Sequence, residues 1–222
     1  MTRTLEVAGA NADDLLRTAQ EAAYRLPPGF GGFAAAICCS EGGQWAEGTV
    51  RAWGPGDVEV DLDGDEGVGQ WARRELASMV GHRWTSPYEE GDGRYAKRLD
   101  GPPDALGGQV VVLDGDPFSS SYRVAGGGVA EVNRTMGSQR FTIVVHARTA
   151  AADGRLLPAE FSVHHWDGSG RLVRSDGYSD EYVEVEGVPL PARRRVVSAG
   201  DLGLERRELR LSDHALVAEG RS

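Results

Sequence analysis

Histidine is the residue type in this chain best suited to chemistry near neutral pH, because imidazole titrates there and also binds transition metals. The five histidines are His82, His146, His164, His165 and His214. His146 and the pair His164–His165 fall on two predicted neighbouring strands, and alternation directs His164 and His165 to opposite faces. Only one of the pair can therefore share a face with His146, and the sequence leaves open which one.

A metal site is one hypothesis for these side chains. If His82, which follows a predicted helix, approached His146 and His164, three imidazoles could bind zinc, copper or iron. The spacing is not diagnostic of a metal. Scattered structural histidines and a metal-free acid–base histidine therefore remain alternatives.

The most polar predicted strand contains Asp176, Tyr178 and Asp180. Alternation allows the three to share one face, where they could orient a ligand or a histidine through hydrogen bonds. The alternative is a solvated strand face. The candidate catalytic residues are accordingly His146, His164, Asp176 and Tyr178.

Other residues are candidates for ligand binding. Asn133 and Arg134 form a polar pair in a β-prone segment, where they either contact an anion or carbonyl in a pocket or anchor neighbouring loops. Trp84 could line a cavity for a flat or apolar ligand. The candidate ligand-binding set is Asn133, Arg134, Trp84, Tyr178 and Asp180.

Familiar catalytic motifs are missing from the sequence. It contains no Walker A loop, HExxH, CxxC or nucleophile elbow. The triple glycine at 126–128 precedes no helix signal, so we predict a hairpin turn there rather than a phosphate cradle.

The charge balance disfavours nucleic acid as a partner. The chain has 34 acidic and 24 basic side chains and a formal net charge of -10. A protein of this charge repels polyphosphate. The arginine run at 193–195 is interpreted as alternating surface charge.

Cysteine usage and hydropathy bear on location. Cys38 and Cys39 are adjacent, and neighbours on a strand point to opposite faces and make a poor disulfide. No apolar run reaches the length of a signal peptide core or a membrane span. We expect a reduced, soluble, cytoplasmic protein without membrane insertion, either a monomer or a homodimer.

The elements that must position these residues follow from hydrophobic periodicity. Helical spacing predicts helices at 11–26 and 65–81, and about nine to eleven short strands surround and follow them. Consecutive strands with hairpin-length connections predict an antiparallel meander, with its main part at 107–212. We expect a mainly β, α+β fold in a single domain, residues 1–222. Its sheet would curl into a half-open barrel with both amphipathic helices on the concave side.

The segments VAEVNRTMGSQRFTI (129–143) and DGRLLPAEFSVHHWDGSGRLVRSDGYSDEYVEVEGVPLPARRRVV (153–197) resemble the domain-of-unknown-function 3386 family. The resemblance would cover about residues 12–216. That family implies no established activity, and by analogy of strand pattern it suggests the half-barrel of lipoprotein carriers.

Two functions that use the cavity remain open from the sequence, beside a third hypothesis, an assembly factor whose surface rather than cavity matters. The first is a binding protein that holds a hydrophobic or amphipathic small molecule in the cavity of a curved sheet. The second is an enzyme of small-molecule (secondary) metabolism that uses cavity histidines as acid–base groups or metal ligands.

Overall fold

The structure is a computed structural model that describes residues 11–64, 66–84, 86–103, 107–201 and 203–218. Its helices are α1 (Ala12–Glu21) and α2 (Glu66–Gly81), and two short 3-10 turns cover Tyr88–Glu90 and Asp92–Arg94. The strands are β1 (Phe33–Glu41), β2 (Gln44–Gly54), β3 (Asp57–Leu62), β4 (Ala96–Asp100), β5 (Gln109–Asp114), β6 (Ser121–Ala125), β7 (Gly128–Met136), β8 (Gln139–Ala150), β9 (Leu156–Trp166), β10 (Leu172–Val185), β11 (Val188–Gly200) and β12 (Gly203–Leu216).

The strands form one antiparallel sheet in the order β3-β2-β1-β12-β11-β10-β9-β8-β7-β6-β5-β4. Strands β4 to β12 are a continuous meander, and the first three strands extend it because β1 pairs with β12. Strands β3 and β4 are the two free edges, so the sheet stays open. The predicted mainly β, half-open architecture is confirmed, with twelve strands in the described chain rather than nine to eleven.

Helix α2 covers one half of the concave face. Burial alternates along β1, where Phe33, Ala35, Ile37 and Cys39 face inward, as expected for a strand with one covered side. Inward residues of β2, β3, β11 and β12 join the same core, and α2 packs its apolar stripe against them. The members contributed by α2 are Val68, Trp71, Ala72, Leu76, Met79 and Val80.

Helix α1 covers the other half of the same face. Asn11 caps it, because its side-chain oxygen accepts a hydrogen bond from the Asp13 amide at 3.1 Å. Leu16, which is fully buried, packs over β5 and β6. Lys97 of β4 holds the helix by an ion pair with Asp13 at 2.7 Å. The hydrogen bond from Lys97 contributes most to lowering the pKa of Asp13.

The predicted end of α1 at residue 26 is wrong. The helix ends at Glu21, because the following residues pair with the start of β9. The Tyr24 amide donates to the Leu156 carbonyl and the Leu156 amide to the Ala22 carbonyl, both at 2.8 Å. Apolar side chains continue at helical spacing beyond Glu21, but these long-range bonds direct the backbone elsewhere.

Two strand glycines provide a test of this sheet. A Cβ on Gly48 would lie 1.8 Å from the Asp61 carbonyl oxygen, whereas one on Gly177 would meet nothing closer than 3.8 Å. We expect Gly48→Ala to lower the free energy of unfolding by about 1–3 kcal/mol through overpacking of β2 against β3. The matched variant Gly177→Ala should change it by less than about 1 kcal/mol. Urea unfolding measures both, and equal midpoints for the two variants would contradict the pairing of β2 with β3.

Candidate functional site

A cavity of about 430 Å³ lies on the concave face between the two helices. The ends of α1 and α2 form its sides, and strands β6 to β11 contribute the rest of its wall. This volume lies within the usual range of small-molecule sites. The remaining question is which chemical groups line it.

Apolar side chains form the floor of the cavity. Sheet register aligns Val132, Ile143 and Val163 in one row across β7, β8 and β9. The next row contains Val145 and Phe161. These five residues, called the apolar floor below, all line the cavity and are only half-buried. Neither helix covers them completely, so they leave apolar surface facing the cavity.

A buried ion-pair cluster forms one wall. Arg194 of β11 donates to both carboxylate oxygens of Asp180, at 2.8 and 2.6 Å, and to Glu75 of α2 at 3.0 Å. The Asp180 and Arg194 side chains are 0% and 5% exposed. Burial disfavours the charged guanidinium, but the hydrogen bonds and attraction from the carboxylates outweigh it and raise the pKa of Arg194. This cluster joins α2 to the centre of the sheet.

Aromatic rings pack beside that cluster. Tyr178 stacks on Phe161 with ring centroids 4.5 Å apart and nearly parallel planes, and the Arg194 guanidinium lies 5.1 Å from the Tyr178 centroid. Burial, with smaller effects from Glu75 and Asp176, raises the pKa of Tyr178, so its phenol stays protonated. The predicted ligand-binding residues Tyr178 and Asp180 therefore both line the cavity, although Asp180 is occupied by Arg194.

Asp176 shares the concave face with Tyr178 and Asp180, and it meets a histidine there. The histidine is His165, whose Nε2 lies 3.3 Å from the carboxylate, and Arg174 donates to the same group at 2.8 Å. Arg174 also donates to Ser198. Asp176 is not among the residues that line the cavity.

The structure resolves which histidine shares a face with His146. His146 Nε2 and His164 Nε2 each lie 3.0 Å from Ser162 Oγ, and Ser175 Oγ lies 2.9 Å from His164 Nδ1. Since Phe161 and Val163 line the cavity, Ser162 and its two histidine partners lie on the opposite, convex face. The candidate catalytic residues His146 and His164 are thus outside the cavity.

The candidate metal ligands are not brought together. His82 lines the cavity, whereas His146 and His164 lie across the sheet from it. Within the described residues, no group of three or more His, Cys, Asp or Glu side chains is arranged to bind a metal ion. The separation follows from strand alternation, which places the convex histidines on the side away from α2.

The remaining ligand-binding candidates divide between sites. Arg134 lines the cavity and donates to Tyr122 at 2.7 Å, and Tyr122 in turn donates to Asp92 at 2.6 Å. Asn133 lies on the convex face, where it accepts a hydrogen bond from Thr142. Trp84 lines a separate recess of about 80 Å³ beside Pro27 and Phe30.

Sequence reasoning missed several cavity residues. Arg194, interpreted above as surface charge, is buried, whereas its neighbour Arg193 forms partly exposed ion pairs with Glu181 and Glu208. Three consecutive arginines on a strand require the middle one to point to the face opposite its neighbours, and that signal was available. Arg148 had no such signal, because bulges on both sides of Ala147 reverse the alternation of β8.

Comparison with known proteins identifies the family. A family model described as "Protein of unknown function (DUF3386)" matches residues 7–217. The chain belongs to this family. The resemblance found in the sequence is therefore confirmed, and no curated protein matches the chain significantly.

Solved structures resemble this DUF3386 chain at low identity. A LolA superfamily protein from Nitrosomonas europaea is 16% identical, with 94% of each chain covered and a TM-score of 0.40. A putative outer membrane lipoprotein-sorting protein domain from Vibrio parahaemolyticus is 14% identical, with 93% of each chain covered and a TM-score of 0.42. The MucA/MucB complex from Pseudomonas aeruginosa matches at 12% identity, with 94% of this chain and 95% of that chain covered and a TM-score of 0.23. Likeness at this level does not transfer a ligand.

The expected cytoplasmic location is contradicted by these neighbours, among them an outer membrane lipoprotein-sorting protein domain and the MucA/MucB complex. The expectation depended partly on Cys38 and Cys39, which are both free. Adjacent strand residues cannot pair readily in any compartment, and burial raises the pKa of Cys39 to about 12, so its thiol is unreactive. Free cysteines here therefore say nothing about location.

The two helices of the described ranges do not qualify as membrane spans. Neither combines the length and the apolar character that crossing a bilayer requires.

The ion-pair cluster makes a prediction about stability. Arg194→Met would leave Asp180 buried without its cation, so we expect it to lower the free energy of unfolding by about 3–5 kcal/mol. Arg195→Met is the matched control one residue away on the opposite face, where losing an exposed hydrogen bond to Ser179 should change the free energy of unfolding by less than about 0.5 kcal/mol. Chemical denaturation measures both. Similar decreases in the free energy of unfolding for the two variants would show that Arg194 is not the buried partner of Asp180.

A second prediction concerns pH and His82. His82 is exposed at the cavity wall, and desolvation by the protein around it, followed by the charges of Arg194, Arg134 and Arg25, lowers its pKa. Because solvent screens an exposed group, its contribution to stability is small. The unfolded chain then binds a proton more readily than the folded one, so this group destabilises the fold as pH falls below about 6.5. We compare the urea midpoint of His82→Asn with that of the native protein at two pH values. The midpoint of the variant minus that of the native protein should be more positive at a pH of about 5.5 than at about 7.5. If the urea midpoints of the variant and of the native protein change with pH in parallel, protonation of His82 does not destabilise the fold.

Proposed function

We propose that this DUF3386 protein holds a hydrophobic or amphipathic small molecule in the cavity between its helices and the concave face of the sheet. The observation that supports the proposal is the apolar floor, which is aligned by sheet register and left only half-buried by the two helices. Apolar surface that a fold leaves facing a cavity gains free energy when an apolar ligand removes it from water.

The composition of the cavity wall also supports a binding role. The apolar floor occurs together with charged and polar groups at defined positions, a combination that suits a ligand with both an apolar and a polar part. Tyr24, Tyr122, Tyr178 and Tyr182 also line the cavity and combine apolar rings with hydroxyl groups.

The histidine-based enzyme has less support in this geometry. Of the histidines considered for catalysis or metal binding, His82 alone lines the cavity, while His146 and His164 bond to Ser162 on the convex face. Acid–base chemistry on a cavity ligand requires groups within hydrogen-bond reach of it.

A large side chain introduced on the apolar floor should weaken ligand binding. We expect N-phenyl-1-naphthylamine, an uncharged apolar dye, to bind saturably with increased fluorescence. Val163→Trp places a large ring in the cavity and should weaken dye binding by about tenfold or more. Val197→Trp is the control, because Val197 is 42% exposed on the convex face.

Two results would contradict the proposed function. One is native protein that gives no saturable fluorescence change with the dye. The other is Val163→Trp protein that binds the dye as tightly as the Val197→Trp control.

A further inference from the structure

We infer that the ligand is an anionic amphiphile, whose carboxylate or phosphate group binds at a cluster of arginines at one end of the cavity. This inference deepens the proposed function and rests on it. The cluster, called the basic end below, consists of Arg25, His82, Arg83 and Arg148, all of which line the cavity.

Contacts place these residues at the same end. Register pairs Arg148 of β8 with Pro158 of β9. The Pro158 carbonyl accepts a hydrogen bond from the Tyr182 hydroxyl at 2.9 Å, and the Tyr182 ring lies 5.3 Å from the Arg83 guanidinium. Arg25 in turn donates to the carbonyl of His82, next to Arg83 in the chain. The four residues are therefore linked by one continuous set of contacts.

The arginines of the basic end bond to uncharged acceptors. Arg83 donates to the carbonyls of Met79 and Pro189, both at 2.9 Å, and Arg148 donates to the Val129 carbonyl at 2.7 Å. In the part of the chain that the structure describes, no carboxylate lies within ion-pair distance of Arg25, Arg83 or Arg148. Arg83 is nevertheless only 5% exposed.

Buried positive charge without a counter-ion is costly, and an anion would relieve that cost. Burial is the largest cause that lowers the pKa of Arg25 and of Arg83, and the attraction of Asp180 for Arg83 does not offset it. Arginine is also the side chain best suited to paired hydrogen bonds with carboxylate and phosphate oxygens.

The net charge of the cavity also favours an anionic ligand. Five arginines line it against three carboxylates, Glu75, Asp92 and Asp180. Glu75 and Asp180 are already paired with Arg194, and Asp92 accepts hydrogen bonds from Tyr122 and Gln20. The protein as a whole has a net charge of -10, so a net positive cavity reverses the charge of its surroundings. Such a cavity favours anions over neutral or cationic ligands.

The apolar floor continues from the basic end. Along β8, Val145 and Ile143 precede Arg148 on the cavity side. A ligand with its anionic group at Arg148 and Arg83 would thus extend its apolar tail over Val145 and Phe161 and then over Ile143 and Val163. Arginines without a paired carboxylate among the described residues at the basic end, and the apolar floor beyond them, match the two parts of a single-tailed amphiphile.

Displacement of the bound dye by competing amphiphiles tests whether the cavity prefers an anionic ligand. The competitors share a twelve-carbon tail and differ in the polar group: dodecanoate, dodecyl phosphate, dodecanol and dodecyltrimethylammonium. We expect the two anions to displace N-phenyl-1-naphthylamine at concentrations about tenfold or more below those of the alcohol and the cation. The ratio between dodecanoate and dodecyl phosphate shows which anionic group the basic end prefers.

Variants of Arg148 test whether the preference for anions arises at the basic end. Arg148→Gln should reduce the preference for anions over dodecanol to about threefold or less, and Arg148→Lys should retain most of that preference. Arg140→Gln is the control on the same strand, since Arg140 contacts Trp166 and does not line the cavity. A cooperative urea unfolding transition shows that each variant is folded.

The outcomes separate this inference from the proposed function. Equal displacement by dodecanol and dodecanoate, or an undiminished preference in Arg148→Gln, would overturn the inference while the binding function stands. Failure of the native protein to bind the dye would overturn the proposed function itself.

Discussion

The buried pair of Asp180 and Arg194 is the interaction on which the arrangement of the cavity depends. It joins β10 to β11, and Glu75 extends it to α2. Because each charge would be buried alone without its partner, α2 is confined to positions that bring Glu75 to Arg194. The same guanidinium lies near the rings of Phe161 and Tyr178. One cluster thereby positions a helix, two strands and part of the cavity wall.

The cavity exists because two helices are too narrow to cover a twelve-stranded curved sheet. Helix α2 packs over β1 to β3 with β11 and β12, and α1 packs over β4 to β7. Of the apolar floor, Val132 on β7 packs against the core under α1, whereas the floor residues on β8 and β9 belong to neither core. The chain segments that follow the two helices, from Ala22 and from His82, close one end and bring arginines to it.

Periodicity was sufficient to predict most elements and some of the site. Alternation along β10 allowed Asp176, Tyr178 and Asp180 to share a face, and they do. Alternation also limited His146 to one partner from His164 and His165. It could not identify the cavity face, since this depends on which side of the sheet the helices occupy. The position of Arg148 in the cavity could not be predicted for a different reason. Bulges at Ala147 reverse the alternation of side chains along β8, on which a prediction from sequence depends.

Taken alone, the sequence determined the family, the antiparallel meander and two amphipathic helices, because these follow from local periodicity, turn residues and short motifs. Only the tertiary structure decided where α1 ends, which face encloses the cavity and which arginines line it. Those features depend on contacts between distant segments, such as Tyr24 with Leu156, Glu75 with Arg194, and Arg83 with Pro189. Local sequence patterns carry no information about such pairs, since their energies arise only after the sheet has curved and the helices have docked on it.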